Sequence, residues 1–468
     1  MHNNACLKNI IATRGREKMK NNIFNRKTKI LITMGPSIER VLEKSANIID
    51  GVRFNMSHAK IEEMDKYMEI LNKNNIAKLM DLKGNKLRIK TTNISSIKAG
   101  ETVIIGKDVI LSHHPVNEVE IGHFILINDG KVKLKIDNIK DNLIYATAIV
   151  GGEIKQGNGI NTPDSSLKMP IIAIEDIEHI KYAIKHDFEY IALSFVRNKN
   201  DIINLKNILQ EYNGNIPIIA KIETKEGLKN IEEISIYADG IMVARGDLGV
   251  EIPIENIPVK QKEIIRTANK HGKIVITATQ MLDSMVNNPY PTRAELTDIA
   301  NAIYDGTDCI MLSNETSIGK YPIEAIKVMD NVAKISEKDI DKFGRKTKLG
   351  SCSTSIGIAY ATYALFEQLR PKIILTPTWS GSSAKLISKF KPSIPIIAPT
   401  PNIKTFRKLR LVWGVTPVLS DEVHSIDDIL NLSKEIAKKY IDTGTYIITL
   451  GHPIGMKKTN LIKVETIE

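Results

Sequence analysis

The sequence predicts an α/β protein: a (β/α)8 TIM barrel carrying an inserted all-β domain and followed by a C-terminal α/β domain. Three observations predict it. Eight short runs rich in Ile and Val alternate with amphipathic segments, one stretch of about eighty residues interrupts them with strand-and-turn patterning, and the alternation restarts after Ile335. Strands buried on both faces read as such continuous apolar runs, and eight of them alternating with helices suit a closed barrel.

The eight runs are 29–33, 51–55, 76–82, 190–195, 216–223, 238–244, 273–279 and 307–313. Helical periodicity follows most of them, at 61–72, 174–186, 201–212, 257–270 and 293–304. The barrel domain therefore takes 27–88 and 169–337, and the inserted β-barrel-like domain takes 89–168, with strands expected at 101–106, 124–127, 131–136 and 143–149. The α/β domain takes 338–468, with helices at 353–368 and 383–390 and strands at 372–376, 396–398 and 445–450.

Composition narrows the function classes. The chain has 468 residues, 42% apolar and 25% charged, as an ordinary globular protein has, and no apolar run is long enough to span a bilayer. Cys6, Cys309 and Cys352 form no CxxC pair, which argues against a disulfide framework or structural zinc and for a reducing, cytoplasmic setting. The net charge of +11 is uneven: residues 1–29 hold eight basic side chains against Glu17, a balance of +7, which leaves +4 for the rest. The excess is a tail, so a nucleic-acid binder with a basic body is not supported. Residues 1–26 read as a disordered basic extension, with an organelle-targeting segment as the alternative.

Chemistry in a barrel belongs at the C-terminal ends of the strands. Those ends here carry Arg53, Asn55, Ser57 and His58; Asp81 and Leu82; Ser194 and Arg197; Lys221 and Glu223; Arg245, Gly246 and Asp247; Thr279; and Ser313 with Glu315. Any one such residue is more often a solvated loop residue, but polar ends on seven strands at one rim strain that reading. Lys221 and Glu223 are two apart and point to the same side of their strand. Glu223 and Asp247 are hard oxygen ligands suited to Mg²⁺, Arg53 offers a planar fork for phosphate, and Lys221 offers a point charge. Gly246 permits close backbone approach, and Thr279 offers a hydroxyl. A charge clamp and metal carboxylates with few nucleophiles suit phosphoryl transfer by positioning and electrostatics. Neither a Walker-type GxxxxGK[ST] loop nor a kinase-type GxGxxG is present.

The runs KIETKEG (221–227), DGIMVARGDLGVEIP (239–253), ATQMLDSM (278–285), NPYPTRAE (288–295) and DGTDCIMLSNET (305–316) resemble the pyruvate kinase family. So do TKILITMGPS (28–37), VRFNMSH (52–58) and TPTWSGSSA (376–384), in order and spacing over about 27–468. The resemblance implies transfer of the phosphoryl group of phosphoenolpyruvate to ADP, giving pyruvate and ATP in glycolysis. It implies that Glu223 and Asp247 hold Mg²⁺ (or Mn²⁺), that Lys221 and Arg53 act on the phosphoryl group, and that Ala244, Arg245, Gly246, Asp247 and Thr279 surround the substrate. Thr279, Ser313 and Glu315 would organise the water that protonates the enolate; Asn55, His58, Arg88 and Asp129 would face the nucleotide; and the inserted domain would close as a lid. A homotetramer is implied as well.

Two departures from the family pattern matter. Around its monovalent-cation site (Asn55, Ser57, Asp81) the family has a Thr and a Glu where this chain has Leu82 and Lys86. This resembles the potassium-independent branch, so K⁺ is expected not to be required. The lid position that is commonly Lys is Asn158, with Lys155 nearby as a substitute. The loop Thr378, Ser380, Gly381, Ser382, Ser383 is a candidate cradle for a phosphorylated effector, with an ordinary helix cap as the alternative. Two rivals remain from the residues alone: another barrel enzyme acting on phosphoenolpyruvate or pyruvate, and a binding protein that kept the fold.

Overall fold

The structure is a computed structural model and describes residues 26–344, 353–451 and 458–468. Residues 1–25, Cys6 among them, and Cys352 lie outside the described residues. Arg26, assigned from sequence to the extension, is part of the fold instead: its guanidinium pairs with Asp50 at 2.8 Å and Asp330 at 2.9 Å.

Eight parallel strands close the barrel: Lys29–Thr33, Gly51–Asn55, Ala77–Asp81, Tyr190–Leu193, Ile218–Ile222, Gly240–Ala244, Ile274–Ala278 and Cys309–Leu312. Side chains alternate across each strand. Leu31, Leu79, Ala192, Ile219, Met242, Ile276 and Met311 fill the interior, while Ile30, Ile32, Val52, Ile218 and Ile310 pack outward against the helices. The helix Arg293–Asp305 shows how local signals set the ends: Thr292 and Glu295 form a reciprocal capping box, and Gly306 stops it in the left-handed conformation at φ 99°.

Between the third and fourth barrel strands the chain leaves to build a separate seven-stranded sheet around its own apolar core of Ile125, Leu134, Ile136 and Ile144. The C-terminal sheet has five strands, ordered Val415–Leu419, Ile396–Thr400, Ile373–Leu375, Gly444–Leu450 and Leu461–Ile467, the last antiparallel. It docks on the N-terminal face of the barrel, where the helix C-termini expose carbonyls. Arg410 donates to the Asn74 carbonyl (3.0 Å) and Lys389 to the Lys270 carbonyl (2.7 Å), and Lys391 pairs with Asp308 (2.6 Å). Cations suit the negative ends of helices. Among the described residues, no helix is long and apolar enough to cross a membrane.

Candidate active site

The alternation that packs the barrel interior also builds the site. Two residues beyond Leu79, Ala192 and Ile219, on the same face, come Asp81, Ser194 and Lys221. They stand directly above the apolar floor, and Glu223 follows one step higher.

Asp81 is the centre of the cluster. One carboxylate oxygen accepts from Arg53 Nε at 2.6 Å and the other from Lys221 Nζ at 3.1 Å. Lys221 Nζ also donates to Ser194 Oγ at 2.8 Å and lies 3.0 Å from Glu223 Oε1. Burial opposes the charge of Lys221, but Asp81 and Glu223 outweigh it and hold its pKa above the ordinary lysine value. Burial likewise opposes ionisation of Asp81, and Lys221 with Arg53 overcomes it, so that this carboxyl lies below its usual range. Glu223 goes the other way: burial and the charge of Asp247 raise its pKa despite Lys221. Glu223 Oε2 accepts the amide of Phe195 at 2.8 Å, and Phe195 sits at φ 57°.

Asp247 lies on the short helix Arg245–Glu251 that follows the sixth strand. Its Oδ1 is 3.3 Å from Lys86 Nζ, and the same ammonium reaches Asp129 Oδ1 of the inserted domain at 3.4 Å. The Gly246 amide donates to Thr279 Oγ1 at 3.0 Å. Ser313 and Leu282 donate their amides to the two oxygens of Glu315, at 2.7 and 3.0 Å, and the buried Ser313 Oγ has no partner among the described residues. A cavity of about 800 Å³ opens beside the cluster, between barrel and inserted domain, and Lys86, Phe195, Arg197, Lys225 and Glu251 line part of it.

The remaining residues expected from sequence have definite surroundings. Arg245 does not face the site: its buried guanidinium is occupied by the carbonyls of Ala278, Thr279 and Gln280 and by Asp298. Lys155 pairs with Glu153 at 2.6 Å on the surface of the inserted domain, and its backbone amide donates to the Asn158 side chain. Leu82 is buried and contributes only backbone, its carbonyl accepting from Ser194 Oγ. Asn55 accepts the Ser57 amide, the His58 amide closes onto the Asn55 carbonyl, and Arg88 donates to the Gly157 carbonyl; these three surround the second strand end and the domain junction. Ser194 is read from the sequence only as a polar strand end with no role of its own; its place two residues past an interior Ala is the signal for the one it has, holding Lys221.

In the C-terminal domain, Gly381 at φ 83° opens the helix Ser382–Ser388, and its amide donates to Thr378 Oγ1. Ser380 and Ser382 hydroxyls lie 2.9 Å apart, Ser383 meets Thr459 at 2.7 Å, and the loop borders a cavity of about 480 Å³.

A closed parallel barrel with ammonium, guanidinium and carboxylate groups gathered on its C-terminal rim is the frame of a phosphotransferase. The sequence comparisons agree with that class and narrow it. The model of the pyruvate kinase barrel domain matches residues 25–326, and that of the pyruvate kinase alpha/beta domain matches 357–465. A pyruvate kinase of Methanocaldococcus jannaschii is 59% identical over 444 residues, 94% of this chain and 99% of that protein. One of Thermotoga maritima is 40% identical over 471 residues, 95% of this chain and 100% of that protein. The crystal structure of a pyruvate kinase from Cryptosporidium parvum superposes with a TM-score of 0.86 at 33% identity, covering 95% of this chain and 97% of that one. The chain belongs to the pyruvate kinase family.

Proposed function

We propose that this protein transfers the phosphoryl group of phosphoenolpyruvate to ADP, and that the Asp81–Lys221–Glu223 arrangement is the part that does so. The observation that carries this reading is the Lys221 ammonium, fixed by Asp81, Ser194 and Glu223 above the barrel floor. Its charge is held on, and its position is set from three sides. Such a group lowers a barrier by meeting charge where it develops. Arg53, fixed by the other oxygen of Asp81, supplies the second cation for the phosphate.

The donor set suits a divalent ion of the Mg²⁺ or Mn²⁺ type. Burial, with the charge of Asp247 adding to it, raises the Glu223 pKa, and among the described residues no group of three or more His, Cys, Asp or Glu forms a closed metal cage. Mg²⁺ takes one or two carboxylates and completes its shell with substrate oxygens and water. When bound there, the ion supplies charge neutralisation at the phosphoryl and enolate oxygens.

The P–O bond to the enol oxygen breaks as one forms to the terminal oxygen of ADP, leaving an enolate that takes a proton at its methylene carbon. Thr279 Oγ1, anchored by the Gly246 amide, and the unpartnered Ser313 Oγ supported by Glu315 are the groups that orient the proton source. Asn55, His58, Arg88 and Asp129 face ADP, with the inserted domain as lid excluding water.

Lys86 takes the place of a monovalent cation: its ammonium already contacts Asp247, and K⁺ is not required. The further elements of the reading are a cytoplasmic glycolytic enzyme, a homotetramer, and a phosphorylated effector at Thr378–Ser383. A coupled assay for pyruvate from phosphoenolpyruvate plus ADP tests the core of it; no pyruvate formation with Mg²⁺ present would refute it.

A further inference from the structure

We propose that Arg245 is a positioning residue: its guanidinium holds the turn Thr279–Gln280 in the conformation that presents the Thr279 hydroxyl to the substrate. The proposal rests on the reading of Thr279 as an orienting group in enolate protonation.

The turn is an unusual piece of backbone. Thr279 lies at φ 66° and Gln280 at φ 53°, two consecutive non-glycine residues in the left-handed region, the first of them β-branched. A β-branched residue there is a true outlier and persists only when its surroundings impose it. Most of the contacts on the turn's carbonyls come from one side chain. The two left-handed residues turn successive carbonyls inward, and Arg245 meets all three: Nε reaches the Ala278 and Thr279 oxygens at 3.3 and 3.2 Å, and Nη2 the Thr279 and Gln280 oxygens at 2.6 and 3.2 Å. Nη1 is anchored from behind by Asp298 Oδ2 at 2.5 Å and Gln261 Oε1 at 3.3 Å. Arg245 is buried, with 7% exposure, and each of its three nitrogens is engaged by these groups.

The next residue completes the grip. The Gly246 amide donates to Thr279 Oγ1, and the hydroxyl in turn donates to the Ala278 carbonyl at 2.7 Å, the carbonyl that Arg245 also holds, so the start of one short helix fixes both the turn and the direction of the hydroxyl. The hydroxyl can be placed only if both holds act together. A planar fork is needed to meet three carbonyls while pairing with Asp298; a lysine keeps the charge and loses the fork.

The test is a double-mutant cycle of Arg245→Lys and Thr279→Ala, read by steady-state kinetics and by exchange of pyruvate methyl protons with deuterated solvent. Arg245→Lys should lower kcat and exchange together, by roughly 10²-fold, the scale of a misplaced catalytic group, with KM for phosphoenolpyruvate little changed. In the Thr279→Ala background the same change should cost almost nothing further, since coupled residues are not additive. Asp298→Asn, which leaves Arg245 in place but loosens it, should show the same pattern at smaller size and serves if Arg245→Lys does not fold. Full kcat in Arg245→Lys, or equal losses in both backgrounds, overturns the proposal alone. Unchanged exchange in Thr279→Ala overturns the reading of Thr279 and this proposal with it.

Discussion

Lys86 Nζ lies 3.3 Å from Asp247 Oδ1, joining residues 161 apart in the chain across the mouth of the barrel. The same ammonium reaches Asp129 of the inserted domain. On the proposed reading, this fixed positive charge beside Asp247, a proposed metal ligand, does the electrostatic work of a bound monovalent ion without depending on its concentration. The rate in buffer free of K⁺ and Na⁺ should therefore change little when KCl is added. Lys86→Glu should lose activity about tenfold or more, equivalent to about 1.4 kcal/mol of barrier, and regain part of it with KCl. Steep activation of the unmutated protein by KCl would refute the assignment.

Lys221→Met should separate binding from turnover. The ammonium is held by Asp81, Glu223 and Ser194, and on the proposed reading it acts on charge that develops during transfer. Turnover is expected to fall by about 10²–10³-fold or more, with KM for phosphoenolpyruvate within a few-fold. A large rise in KM with kcat retained would mean that Lys221 only binds.

Asp176 ties the path into the inserted domain to the barrel. Its carboxylate accepts the amides of Lys83 (3.0 Å), Gly84 (2.9 Å) and Ala173 (3.2 Å), and Gly84 sits at φ 68°. Asp176→Asn replaces one accepting oxygen by a donor facing an N–H. Stability should drop by about 1–3 kcal/mol, the cost of a lost charge-assisted hydrogen bond and an unpaired buried group, as measured by denaturant unfolding. An unchanged midpoint would show that the carboxylate adds nothing there.

Glu189 gives a pH dependence with a definite sign. Burial pushes its pKa up from the ordinary 4.5 to about 7, against the opposing pull of Lys78 and Arg407, and Oε1 has no hydrogen-bond partner among the described residues. The folded protein keeps a proton that the unfolded chain releases, so this group's stabilisation is whole below pH 4.5 and is lost as pH rises toward 7. Glu189→Gln removes that loss. The melting temperature of the variant minus that of the unmutated protein should increase between those pH values, by an amount worth at most about 3 kcal/mol. A difference that stays flat with pH would contradict the shift.

The barrel and the chemical character of its rim were legible in the sequence because both follow from short-range rules. A parallel strand buried on both faces must be an apolar run, and the polar residues that end it must lie where the barrel opens. Thus 29–33, 51–55, 216–223 and 307–313 announced strands, and Lys221 and Glu223, two apart, announced a shared face. The edge strands of the C-terminal sheet were less visible. Val415–Leu419 carries Pro417, which suits only an edge, and Leu461–Ile467 is half exposed with Lys463 and Glu465 along it. What only the tertiary structure decided is which polar groups meet. Sequence period says which side of a strand a residue takes, but not that Asp81 binds both Arg53 and Lys221, that Lys86 reaches Asp247, or that Arg245 turns away to brace a left-handed turn. Those pairings join residues 28 to 161 positions apart, and they are fixed by barrel closure and by backbone conformations that leave no periodic trace.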